Sequence, residues 1–138
     1  MGKLDNKVAI ITGGNAGVGK EIAKLFASEG AKVVISARRQ QVLEEAAKEI
    51  EEAGGTVLCV PTDISKVGDV KNLVSKTVET FGQLDILINN AGGASPVHFL
   101  DMTIDELIAV STLNYHTPIL LELLILIKKE QCIVCQKL

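Results

Sequence analysis

The chain has 138 residues, 47% hydrophobic and 22% charged, with 12 Gly and 3 Pro. This composition supports a packed core and excludes a fibrous or disordered polymer. Lys and Arg number 14 against 17 Asp and Glu, a formal net charge of −3, and aromatics are 3%, so both the basic field and the stacking platforms of a nucleic-acid binder are missing.

Lys7 to Ile11 is a β-branched run that ends in glycines and predicts a first strand. Gly17 to Glu29 places Ile22, Ala23, Phe26 and Ala27 on one face and predicts a helix closed by Gly30. Lys32 to Ser36 predicts a second strand. In Arg39 to Ala53, Val42, Leu43, Ala46, Ala47, Ile50 and Ala53 recur at helical spacing, and Gly54-Gly55 ends the helix. Thr56 to Pro61 predicts a third strand. Ser65 is then the expected cap of a helix that turns Val70, Leu73, Val74, Thr77, Val78 and Phe81 inward and stops at Gly82. Leu84 to Asn89 predicts a fourth strand, and Ile104 to about Leu113 a further helix.

Strands that are apolar throughout and separated by amphipathic helices predict a doubly wound α/β fold. Its parallel sheet is Rossmann-like, in three layers, of about four or five strands, with right-handed crossovers alternating the sides. One domain over residues 1–138 is expected, with an atypical tail at 111–138 and no separate substrate domain. Ligands of such sheets bind beyond the carboxyl ends of the strands, so the loops after Ile11, Ser36, Pro61 and Asn89 should carry the site.

The first of these loops, Thr12 to Gly19, brings free backbone N–H groups and a helix start to one place, which suits a phosphate. Gly14 to Lys20 satisfies G-x-x-x-x-G-K, but Glu21 replaces the Ser or Thr that would hold magnesium and would repel nucleotide phosphates. The spacing is also not G-x-G-x-x-G, because Ile22 stands where the third glycine belongs. The remaining pattern is T-G-x-x-x-G-x-G, followed by Asp63 after the third strand and Asn89-Asn90-Ala91-Gly92 after the fourth.

These three motifs, in this order, resemble the short-chain dehydrogenase/reductase family over about residues 5 to 110. The resemblance implies a nicotinamide dinucleotide held by Thr12, Gly13, Asn15, Ala16, Gly17, Val18 and Gly19, by Asp63 and Ile64 at the adenine, and by Asn90, Ala91 and Gly92. After the second strand a carboxylate would bind the ribose hydroxyls of NAD, whereas an arginine accommodates a 2′-phosphate. The sequence there is Ala37-Arg38-Arg39, so NADP(H) is favoured over NAD(H); the plainer alternative is that Arg38 and Arg39 are solvated residues at a helix start.

The family role would be hydride transfer between NADP(H) and an alcohol or carbonyl substrate, with a Tyr-x-x-x-Lys pair, a serine and an asparagine managing the proton. Tyr115 is the one tyrosine, and Ile119 stands four residues on. Asn114, 24 positions after Asn90, matches the family's helix asparagine. Lys128 to Val134 resembles the entry into the family's fifth strand, and Leu138 falls about where the catalytic serine is expected. Two readings stand: an NADP-dependent oxidoreductase, or a catalytically inactive truncated isoform that binds cofactor or associates with a full-length relative. A homo-oligomer is expected, because Ile119 to Ile127 is apolar nearly all round.

No metal is expected. In an extended segment Cys132 and Cys135 would point to opposite faces, leaving His98 and His116 without a paired thiolate set. The Glu44, Glu45, Lys48, Glu49, Glu51 and Glu52 cluster reads as an exposed helix face. The polar start and the nine-residue apolar stretch give neither a signal peptide nor a membrane span, so the cytoplasm is the expected compartment.

Overall fold

A computed structural model describes residues 2–90 and 133–136. Strand β1 (Val8–Thr12) is buried at every residue, as an apolar run must be with a strand on each side and helices on both faces. It pairs in parallel with β2 (Lys32–Ala37) and with β4 (Ile86–Asn89). β3 (Thr56–Pro61) flanks β2, and β5 (Ile133–Gln136) flanks β4, so the order is β3-β2-β1-β4-β5 with every pairing parallel. The helices are α1 (Gly17–Ser28), α2 (Gln40–Glu52) and α3 (Val67–Phe81).

The two-residue period of the strands splits the core. Ala9, Ile11, Val33 and Ile35 pack with Ala23 of α1 and with Leu43, Ala46 and Ile50 of α2. Ile10, Val34, Val60 and Leu87 pack with Leu73 of α3 on the other side. The sides therefore do not alternate at each crossover, as the sequence reading expects. Right-handed crossovers that step the same way, β1 to β2 to β3, put their helices on one face. Only the return step past β1 to β4 reverses direction and puts α3 on the opposite face. That reversal makes the gap between the carboxyl ends of β1 and β4 the topological switch point.

At the other end of the sheet Asp85 fixes the β1–β4 register. Its N–H donates to Val8 O at 2.9 Å, and its carboxylate accepts from Val8 N–H at 2.8 Å. Ile11 consequently lies beside Ile88.

Local differences from the sequence reading have physical causes. Ala53 is exposed because α2 closes before it, at the C-cap. Val78 is 44% exposed, since the buried stripe of α3 runs through Val70, Leu73, Val74 and Thr77. Ser65 does not cap α3. The N-cap is Lys66, without a side-chain hydrogen bond, and the Ser65 hydroxyl goes to the Asp63 carboxylate, a stronger acceptor two residues away. The helix expected at residues 104–113 and the apolar stretch 119–127 lie outside the described residues.

Candidate functional site

The carboxyl ends of β1 and β4 flank the switch point, and hydrogen bonds tie the glycine loop to both neighbours of β1. The Thr12 hydroxyl donates to Ile88 O at 3.4 Å and accepts the Asn90 N–H at 3.0 Å. The Asn90 amide reaches back to Gly13 O at 3.5 Å, and Gly13 N–H donates to Ser36 O at 2.8 Å. Thr12 and Asn90 thus clasp β1 to β4 directly beneath the loop. The sequence reading placed both residues in the site but did not foresee that they bind each other, because a contact across 78 positions has no local signal.

Gly13 and Gly17 have φ of 67° and 56°, a left-handed turn at each end of the loop that folds the chain over the strand ends and into α1. The α1 N-cap, Ala16, makes no side-chain cap bond, and the first turn holds no acidic residue. Its N–H groups and dipole therefore face an anion without a competing carboxylate. Gly19 is buried against the loop. A methyl group there would collide with Gly13 O and the Asn90 amide nitrogen, and one on Gly14 would meet Ile35 Cγ2 at 2.6 Å. Asn15 is half-buried, Ala16 is exposed, and Val18 is 59% exposed over the helix start.

Lys20 turns away from this loop. It pairs with Glu49 on α2, which also accepts from Lys24 at 3.3 Å, and these two hydrogen bonds, Lys20 first, hold the Glu49 carboxyl below its ordinary range. Glu49 is thus a bridge between helices, not part of a freely solvated face. Lys20 and Lys24, four apart on α1, both reach Glu49 on α2. The lysine of the G-x-x-x-x-G-K match is occupied structurally.

The adenosine-side loops follow β2 and β3. Arg38 and Arg39 are exposed, and Arg39 is the N-cap of α2. Thr62 N–H donates to Ala37 O at 2.8 Å, which continues the β2–β3 register one residue beyond Ala37 and Pro61 and brings the start of the Asp63 turn to the end of β2. The Asp63 carboxylate accepts Ser65 Oγ–H at 2.6 Å and Ser65 N–H at 3.0 Å, while Asp63 N–H donates to Asp69 Oδ2 at 2.9 Å. The Ser65 bonds, then the charges of Lys66 and Arg38, hold the Asp63 carboxyl below its usual range. A depressed carboxyl contributes stability above the unfolded pKa, so this turn weakens as pH falls through the lowered value. Ile64 is half-buried beside it. The expected site residues Ala91, Gly92 and Asn114 lie outside the described residues, as do Tyr115, Cys132, His98 and His116.

A family model described as short chain dehydrogenase matches residues 7–129. An oxidoreductase of Thermotoga maritima is 39% identical over 115 residues, covering 83% of this chain and 45% of that protein. The 11-beta-hydroxysteroid dehydrogenase-like 2 protein of Arabidopsis thaliana is 40% identical over 114 residues, covering 81% of this chain and 37% of its own length. Among solved structures, a 7α-hydroxysteroid dehydrogenase complexed with NADH and 7-oxo glycochenodeoxycholic acid is 37% identical with a TM-score of 0.76, over 90% of this chain and 48% of that one. The chain spans less than half the length of these relatives.

Proposed function

The chain belongs to the short-chain dehydrogenase family, and on that premise we propose that residues 1–138 form a nicotinamide-dinucleotide domain of an NADP(H)-dependent oxidoreductase acting on an alcohol or carbonyl. The observation that carries the reading is the clasped glycine loop at the switch point, a cradle that a Cβ at Gly14 or Gly19 would fill. Gly13, Asn15, Ala16, Gly17, Val18 and Gly19 line it and offer backbone N–H groups to the pyrophosphate, with Thr12 and Asn90 holding its shape. Asp63 and Ile64 flank the adenine, Arg38 and Arg39 the 2′-phosphate, and Ala91 and Gly92 the nicotinamide-side ribose. The nicotinamide, when bound, supplies or accepts the hydride. Asn114 is assigned to the proton-transfer side of the site.

The 7α-hydroxysteroid dehydrogenase relative carries NADH, so cofactor choice in this chain turns on its own residues. Arg38 with alanine at position 37 supports NADP(H), because no carboxylate at that strand end competes with a phosphate. NADPH should bind at least roughly tenfold more tightly than NADH, the worth of one charged hydrogen bond of about 1.5–3 kcal/mol. Arg38→Asp should shrink or reverse the difference. Equal calorimetric titration curves for the two cofactors would end this reading.

A second reading is favoured by one observation: Tyr115 is followed at the fourth position by Ile119, not lysine. In it the polypeptide binds cofactor, or associates with a second copy or a longer relative through Ile119 to Ile127, without catalysing turnover. Among the described residues no helix is long and apolar enough to cross a membrane, and a cytoplasmic location accords with both readings.

A further inference from the structure

The backbone donors of the turn after β3 are taken up one by one. Thr62 N–H goes to Ala37 O at 2.8 Å, Asp63 N–H to Asp69 Oδ2 at 2.9 Å, Ser65 N–H to Asp63 Oδ1 at 3.0 Å and Lys66 N–H to Asp63 O at 3.0 Å. Within residues 62–66 only Ile64 N–H has no acceptor among the described residues. The Asp63 carboxylate is divided in the same way: Ser65 N–H and Oγ–H both fall on Oδ1, and no hydrogen bond among the described residues falls on Oδ2. Asp63 and Ile64 are half-buried, so the turn offers one N–H donor and one carboxylate acceptor on neighbouring residues. Such a pair complements adenine, which accepts at N1 and donates from its 6-amino group, and opposes hypoxanthine, which donates at N1 and accepts at O6. The tie from this turn to α3 is Asp69, the acidic residue of that helix's first turn, where the helix dipole favours its charged, accepting form.

We propose that Asp69 is a positioning residue for base selection: by accepting Asp63 N–H it leaves Ile64 N–H and Asp63 Oδ2 as the donor and acceptor that choose adenine over hypoxanthine. This rests on the assignment of Asp63 and Ile64 to the adenine above. Asp69 need not touch the cofactor. Without its carboxylate the Asp63 N–H becomes a second free donor in the turn, able to meet hypoxanthine O6, and the turn loses its tie to α3.

The test is the ratio of the dissociation constants of the hypoxanthine analogue of NADPH and of NADPH itself, measured calorimetrically on the 138-residue chain and on folded D69A, D69L and D69N variants. The two dinucleotides differ only in the base, so their phosphate contacts cancel from the ratio. The unmutated chain should favour adenine at least about tenfold. D69A and D69L, which have no acceptor, should lower that preference about two- to tenfold, the worth of one hydrogen bond. D69N, whose side-chain oxygen still accepts, should keep it. A general loosening of the fold would weaken both dinucleotides together and leave the ratio still. An unchanged ratio in D69A and D69L, or an equal fall in D69N, would overturn the role of Asp69 while leaving the adenine assignment intact. No preference for adenine in the unmutated chain, or no binding of either dinucleotide, would overturn that assignment and this inference with it.

Discussion

Replacing Gly19 by alanine should reduce NADPH affinity at least about tenfold and destabilise the fold by about 1–3 kcal/mol, the usual cost of forcing a methyl group into a packed site. The added Cβ would be driven into Gly13 O and the Asn90 amide. Gly13 O belongs to the backbone of the loop and moves only if the loop moves, while turning the Asn90 amide aside gives up its contact with Gly13 O. Displacing either one opens the clasp and moves the N–H groups that the pyrophosphate needs. Gly68, inside α3 with nothing within 4 Å of its Cβ position, is the matched control. Gly68→Ala should raise stability by up to about 1 kcal/mol and leave NADPH binding unchanged. Urea unfolding and NADPH titration of the two variants check both halves, and equal behaviour would show that Gly19 is an ordinary helix-start glycine.

The second large effect concerns turnover. A polypeptide of these 138 residues should bind NADPH and yet fail to oxidise it with aldehydes, ketones or quinones at a rate near that of a complete proton-transfer apparatus. General acid–base catalysis contributes about 10²–10⁴-fold. Here Tyr115 is followed at the fourth position by Ile119, not lysine, so the sequence at Tyr115 does not supply the Tyr-x-x-x-Lys pair. The absorbance of the reduced cofactor, followed with a carbonyl panel, measures this directly. Steady carbonyl-dependent oxidation that disappears in Tyr115→Phe would show that the proton is handled by a residue set other than Tyr-x-x-x-Lys.

The legible parts of the fold were those written in local pattern. The apolar runs of β1, β2 and β3, the stripes of α1 and α2, and the glycines after each helix set the elements to within a residue or two, because burial and chain reversal act on neighbours in sequence. Which face each helix covers was not legible from period alone; it depends on strand order, and the return from β3 to β4 reverses it. The site divides in the same way. The glycine loop and Arg38 were readable as residue types at strand ends. The Thr12–Asn90 clasp, the Glu49 bridge to Lys20, and the diversion of Ser65 from helix cap to Asp63 were not. Each is a choice between partners that only the packed chain brings into reach.

The clasped loop's sequence also admits a nucleoside triphosphate match through Gly14 and Lys20. Competitive titration of NADPH against magnesium ATP on the purified 138-residue chain separates the two. With Lys20 paired to Glu49 and Glu21 in the magnesium-ligand position, NADPH should bind and magnesium ATP should displace it only weakly. Tighter binding of magnesium ATP than of NADPH, or no binding of the dinucleotide by the folded chain, would contradict the assignment of this site.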